Sequence, residues 1–165
     1  MFKKSNKFIV SILLLTMVTT LILSTSAFAV SYEGTTSDGF MWVEAIPLTG
    51  SASSTIVGYS GNGGDITIPN QINSTPVIFI SNDVFSNCKS ITSVTIPSSV
   101  VNIGDRAFSG CANLTKVTMP NSIKSIGDYA FSDCTNLSEM NLPDSVINIG
   151  CYAFKGTKWL ENYKN

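Results

Sequence analysis

Histidine is absent from the 165 residues. Serine-histidine-aspartate and cysteine-histidine catalysis both need an imidazole to carry a proton, so both are excluded, and any zinc site would lack its usual nitrogen ligand. Charge is sparse as well: 13% of residues are charged, 10 basic against 11 acidic. No basic patch exists to neutralise phosphates, which removes the electrostatic footprint of nucleic-acid binding. A second long apolar run is also missing. Beyond residue 29 no stretch approaches the ~20 apolar residues that a membrane helix needs.

The run that does occur, Phe8 to Leu23, follows Lys3, Lys4 and Lys7 and closes in Ser26-Ala27-Phe28-Ala29. A basic start, an apolar middle and an Ala-X-Ala end predict a signal peptide, residues 1–29, cleaved after Ala29. Ser11, Thr16, Thr19 and Thr20 interrupt the run, which argues against a retained anchor. No Cys stands at the cleavage point, which argues against a lipoprotein. Residues 30–165 would keep seven basic and eleven acidic residues, a net of −4. That is one domain's length, with a charge that anionic lipid heads repel. The expected location is secreted or on the cell surface, without membrane insertion after cleavage.

What the chain does have is a period. Ile80, Ile103, Ile126 and Ile149 lie 23 residues apart, as do Phe85, Phe108, Phe131 and Phe154; Cys88, Cys111 and Cys134; Ile91, Leu114, Leu137 and Leu160; and Pro97, Pro120 and Pro143. Residues 100–122 and 123–145 are identical at 11 of 23 positions, mostly apolar, Gly, Pro or Cys. A unit this short cannot bury its own apolar face and must be covered by copies of itself, so the period predicts a solenoid.

Before each proline the residues alternate: Val94-Thr95-Ile96, Val117-Thr118-Met119, Met140-Asn141-Leu142. Alternate residues of a strand face opposite ways, so Thr95, Thr118 and Asn141 point outward from a parallel sheet. Proline has no amide hydrogen and ends the strand in every coil. The return path, through Val100, Ile103, Ala107 and Phe108, reads as a turn and one short helical or 3₁₀ turn. Its phenylalanines should stack along the molecule, each contributing about 1.5–3 kcal/mol by burial.

The order Ile-Gly-Asp-X-Ala-Phe-X-X-Cys-X-X-Leu resembles the BspA-type, or Treponema-type, leucine-rich repeat of secreted and surface proteins, over about residues 65–165. The resemblance implies a curved leucine-rich repeat solenoid of about four 23-residue units, with short parallel strands on one face and turns or short helical segments on the other. It also implies adhesion and ligand binding, with host matrix proteins among the partners of some members.

The ends depart from the pattern. Ile66-Thr67-Ile68-Pro69 lies 28 rather than 23 residues before Ile96-Pro97, with the extra residues around Asn73-Ser74-Thr75-Pro76. Upstream, Phe40 to Ile46 and Ser54 to Tyr59 alternate weakly, so residues 38–64 are expected to form a β-hairpin cap and residues 30–37 a flexible lead-in. Leu160 to Asn165 takes the place of a last strand, and charged Glu161 and Lys164 on its edge would discourage further stacking.

Repetition also weighs on the candidate chemistry. Cys88, Cys111 and Cys134 share a column about one strand spacing apart, close to 4.8 Å. They read as small buried residues, with a disulfide between coils and metal binding as alternatives. Cys151 stands in the column of Asp105 and Asp128 and reads as an exposed thiol. A catalytic acid and base need different environments, whereas a column gives Asp105 and Asp128 the same one, so a turn or helix-cap role is expected. Gly61-Asn62-Gly63-Gly64-Asp65 reads as a tight turn before a strand. The sequence gives no sign of catalytic residues, a metal site or a cofactor.

The positions left free to vary are those on the strands. Thr67, Ser93, Thr95, Lys116, Thr118, Glu139 and Asn141, with Asp65 at the start and Asn162 and Lys164 at the end, would form a shallow concave strip of hydroxyls, amides and mixed charge. Such a strip suits an extended protein or polysaccharide ligand, although it lacks the aromatic anchors of tight interfaces. Tyr129 and Tyr152, stacked with Arg106, are the aromatic alternative on another face. The function expected is an adhesin-like binding module. The alternative is a spacer segment of a larger surface protein with no ligand of its own.

Overall fold

The computed structural model describes residues 28–47 and 50–163. Residues 1–27 of the expected leader lie outside it, as does Lys164. The strands are β1 (Phe28–Thr35), β2 (Phe40–Pro47), β3 (Ser53–Tyr59), β4 (Gly64–Thr67), β5 (Gln71–Ile72), β6 (Thr75–Ile80), β7 (Ile91–Thr95), β8 (Asn102–Ile103), β9 (Lys116–Thr118), β10 (Ser125–Ile126), β11 (Glu139–Met140) and β12 (Asn148–Ile149), followed by helix α1 (Lys158–Tyr163).

Two sheets enclose the core. One runs β4-β7-β9-β11, all parallel, and is the sheet that the Thr-Ile-Pro pattern predicts. The other runs β1-β2-β3-β6-β8-β10-β12, with β5 paired to the side of β6. Two-residue strands β8, β10 and β12 thus replace part of the expected helical return path, and a turn follows each of β8, β10 and β12. The architecture is a leucine-rich repeat solenoid of about four turns with little helix.

Apolar columns fill the space between the sheets. Phe85, Phe108 and Phe131 are 0–1% exposed, and the rings stack from Phe85 to Phe154 at 4.7, 5.0 and 5.6 Å, nearly parallel. Gly127 allows the coils to approach this closely. A Cβ there would meet the Asp105 amide nitrogen and the Gly104 carbonyl carbon at 2.6 Å and also collide with Asp105 Oδ1.

The N-terminal cap differs from expectation in two ways. The lead-in is not flexible over residues 30–35: they belong to β1, which pairs antiparallel with β2 from Val30↔Ile46 to Thr35↔Met41. The cap is therefore three strands rather than a hairpin alone, and β1 extends back to Phe28 and Ala29, across the expected cleavage point. Moreover, β3 pairs parallel with β6, and Ile56 sits opposite Ile80, at the head of the column Ile80, Ile103, Ile126 and Ile149. The extra residues before Pro76 form the β5–β6 hairpin, whose Asn73 and Ser74 have φ of 49° and 66°, as a two-residue hairpin turn requires.

At the other end the expected last strand does not form. Residues Lys158–Tyr163 are helical, so Glu161 and Asn162 lie on α1 and not on a sheet edge. Thr157 takes the Cys column and turns its hydroxyl to the Phe154 carbonyl (2.8 Å) and the Leu160 amide (3.1 Å), which caps α1.

Candidate functional site

The strip forms as one face of the four-stranded sheet. Register places Thr67 beside Thr95 and Thr95 beside Thr118, and Ser93 beside Lys116 beside Glu139. Asn141 follows directly after β11. Thr67, Thr95, Lys116, Thr118, Glu139 and Asn141 are exposed and Ser93 is half-buried, while Ile66, Val94 and Val117 between them are buried. Sheet periodicity thus holds seven polar side chains on a rigid frame. Asn162, on α1, is not among them.

Part of this polarity is spent internally. Lys116 Nζ lies 3.4 Å from Glu139 Oε2, an exposed ion pair of little energetic weight. Asp65 Oδ1 accepts hydrogen bonds from Ser93 Oγ (2.7 Å) and Thr92 Oγ1 (2.9 Å), which hold its carboxyl below the ordinary value. The outer row, Thr67, Thr95, Thr118 and Asn141, carries the groups that face solvent.

Next to Asp65 and Thr67 lies a polar groove that the sequence reading missed. Thr36 and Asp38 of the β1–β2 turn line one side; Tyr59, Asn62 and the start of β4 line the other. Gly63 and Gly64, with φ of 81° and 75°, carry the chain around it, and the Gly63 amide donates to Tyr59 Oη at 3.1 Å. The glycine-rich segment signalled a turn; that the cap would form the opposite wall depended on a long-range pairing.

The aspartate column has a different task from the one expected. Asp105 Oδ1 accepts the backbone amide of Asp128 (2.9 Å), and Asp128 Oδ1 accepts that of Cys151 (2.6 Å), after Asn82 has done the same for Asp105. Each carboxylate binds the next coil rather than capping its own turn. Two of the three column cysteines follow the buried reading: Cys111 and Cys134 are fully buried and donate to the carbonyls of Phe85 and Phe108, each at 3.0 Å, whereas Cys88 is half-buried, 3.3 Å from Ser90 Oγ. Hydrogen bonding with Cys111 and then burial push the Cys134 thiol up, which keeps it protonated and unreactive. Cys151 is exposed. Among the described residues no three acidic or Cys side chains cluster to hold a metal ion.

Tyr129 and Tyr152 stack at 5.3 Å, with Lys155 Nζ 5.4 Å from the Tyr152 ring centre. Arg106 turns instead to Asp83, its Nε 3.0 Å from Oδ1.

These features agree with the comparisons. The BspA type leucine rich repeat model matches residues 59–164 in six copies, two more than the column count gives. The chain belongs to this family. Among solved structures it is similar to a leucine rich cell surface protein of Faecalibacterium prausnitzii (35% identity, TM-score 0.65), covering 76% of this chain and 34% of that one. It is also similar to a leucine-rich repeat protein of Bacteroides capillosus (26%, 0.64), covering 77% and 93%, and to the leucine rich repeat protein of T. pallidum (27%, 0.58), covering 79% and 67%. The chain spans about a third of the length of the Faecalibacterium protein. No curated protein matches it. The family is one of bacterial surface proteins built on repeat scaffolds.

Proposed function

We propose that the protein is an exported, adhesin-like binding module that recognises a protein or polysaccharide through the outer face of the four-stranded sheet. The observation that carries this reading is the exposed row Thr67, Thr95, Thr118 and Asn141, beside Ser93, Lys116 and Glu139, on strands whose alternate side chains are locked in the core. A backbone held this way loses little freedom on binding, which favours affinity without large anchors. The adjoining groove extends the surface at its N-terminal end. Export rests on the basic start, apolar run and Ala-X-Ala end of residues 1–29. Neither catalysis nor a cofactor is part of this reading.

The test is a surface-binding screen of residues 30–165 against matrix proteins and wall glycans, repeated with Lys116→Glu combined with Thr118→Arg. Saturable binding that the double variant weakens at least about tenfold, a difference of ~1.4 kcal/mol, supports the strip. Binding that is unchanged moves the site elsewhere. The spacer reading gains from the chain covering only a third of its Faecalibacterium relative, and predicts no saturable ligand at all.

A further inference from the structure

The two sheets are covered unequally by the cap. Strands β1, β2 and β3 all join the larger sheet, where β3 pairs with β6, and the four-stranded sheet begins at β4. The chain ahead of β4 is in place back to Phe28, yet among the described residues none pairs with the outer edge of β4. The amides of Gly64 and Ile68 donate to the carbonyls of Ser90 and Thr95, at 2.7 and 3.0 Å, so these residues turn their main-chain groups toward β7. Alternation along the strand turns the amides and carbonyls of Asp65 and Thr67 the other way, as on any sheet edge. On that side lies the groove, which Asp65, Ile66 and Thr67 share with the β1–β2 turn.

The groove is shaped for one more strand. It holds about 660 Å³, and an added strand would run about 4.8 Å from β4. Its far wall is fixed: the Ser60 amide donates to the Gly39 carbonyl at 2.8 Å, and a Cβ on Gly39 would strike the Gly61 main chain. Buried Phe40 and Ile66 form an apolar floor, while the carboxylates of Asp38 and Asp65 stand exposed at the rim. No lysine or arginine lines it. Nor is an aromatic face free to stack on a sugar ring: Phe40 is 2% exposed, and Tyr59 packs on Phe40 and Phe85 at 5.1 and 5.3 Å with its hydroxyl taken by the Gly63 amide.

We propose that the edge of β4 docks an extended basic peptide segment of a partner protein, which adds a strand to the four-stranded sheet through the main-chain groups of Asp65 and Thr67. Its Lys or Arg side chains lie against Asp38 and Asp65, and the residues between them face the floor. Strand addition takes its affinity from main-chain hydrogen bonds and its specificity from alternate side chains. Charge selects the occupant. A second copy joined by the same edge would bring Asp38 and Asp65 against their own counterparts, and an acidic segment would be repelled in the same way. With two edge residues to pair, the contact is short and its affinity modest. The site adjoins the ligand strip but does not rest on it: the strip meets a ligand with side chains on the face of the sheet, the edge with main chain.

A fluorescent seven-residue peptide of alternating Lys and Val, titrated into residues 30–165, is the probe. It should bind with a Kd of about 0.1 mM, and hydrogen exchange followed by NMR should show the Asp65 and Thr67 amides becoming protected. Thr67→Pro deletes one outward amide and leaves the β4–β7 ladder intact, so it should weaken binding at least about tenfold without moving the unfolding midpoint. Asp38→Lys with Asp65→Lys, both at exposed positions, should give a similar loss, as should a peptide carrying Glu in place of Lys. The strip variant, Lys116→Glu with Thr118→Arg, should bind the peptide within about twofold of the parent, which separates failure of the strip from failure of the edge. Absence of binding at ~1 mM peptide would overturn the proposal, and so would binding that survives the proline and charge variants. Protection of the same amides by N-acetylglucosamine oligomers, with none from the peptide, would overturn it in favour of a saccharide.

Discussion

The central coils and the N-terminal cap bury the same kind of column by different means. From Ile103 to Leu137 each coil is tied to the next by side chains that repeat: the Asp105 and Asp128 carboxylates to backbone amides, the Cys111 and Cys134 thiols to carbonyls, Asn113 and Asn136 Nδ2 to the carbonyls of Lys89 and Ala112 at 2.8 Å. The cap has no such series. Its tie to the first coil outside the sheet is a buried hydrogen bond from Thr75 Oγ1 to Glu44 Oε1 at 2.9 Å, and the buried hydroxyls of Ser54 and Ser99 find no partner near this boundary. A repeated tie distributes stability over neighbouring coils, as expected of a stack that is held by nearest-neighbour contacts. The cap depends on a few unrepeated contacts, so it should be the end that yields first.

The largest test of that contrast is a pair of cavities. Phe108 is fully buried between Phe85 and Phe131, with rigid coils on both sides that cannot collapse into a void. Phe108→Ala should cost about 3–5 kcal/mol in urea unfolding. Phe40, 2% exposed, meets Tyr59 at 5.1 Å and Phe85 at 6.4 Å in the cap, which can settle more easily. Phe40→Ala should cost about 3 kcal/mol or less, and the loss should appear as an early transition of the cap. Equal losses in one cooperative step would show that cap and coils unfold as a unit and remove the distinction.

Glycines give a smaller and sharper comparison. At Gly127 an alanine Cβ would run into main-chain atoms of the preceding coil, which side-chain movement cannot relieve. Gly127→Ala should therefore cost about 2–4 kcal/mol, because the coils must separate. At Gly64 nothing lies within 4 Å of the added Cβ, but φ is +75°. The cost of Gly64→Ala should be about 1–2 kcal/mol, from backbone strain alone. If the two variants melted together, close approach between coils would not be what holds glycine in the repeat.

The same contrast explains what could be read from the residues. The apolar columns that recur at 23 were legible, because burial is the plain physical reading of a periodic apolar column: Phe85 to Phe154 as a stack, Val94 and Val117 as inward strand positions, the threonines beside them as surface. The cap was only half legible. Phe40 to Ile46 and Ser54 to Tyr59 showed their alternation, but β1 begins at Phe28, inside the segment that the sequence pattern reads as a leader, and that reading hides it. The parallel pairing of Ile56 with Ile80 is set by register across a hairpin that no fixed spacing announces. Asp105 and Asp128 were assigned a local cap because sequence separation of one coil, 23 residues, conceals that the nearest amide belongs to the next coil. For the strip, the strand positions were legible and the geometry assembles them, while the groove beside Asp65 arises only once the β1–β2 turn and the segment leading into β4 line the same space.

The smallest expected effect lies where the two regions meet. Asp65 on β4 is exposed, and the hydroxyls of Ser93 and Thr92 on the next coil lower its pKa from the ordinary 3.8. A carboxyl whose folded pKa is depressed binds protons more readily when unfolded, so its contribution is complete above 3.8 and is lost as pH falls through the lower folded value. Stability followed below pH 4 should thus fall slightly in the parent, and Asp65→Asn should flatten that slope by being slightly less stable near neutrality and meeting the parent in acid. The Ser93→Ala variant should move the Asp65 titration, followed by NMR, back toward 3.8. A titration that stays where it was would mean that the hydroxyls of β7 turn outward in solution and are available to a ligand instead.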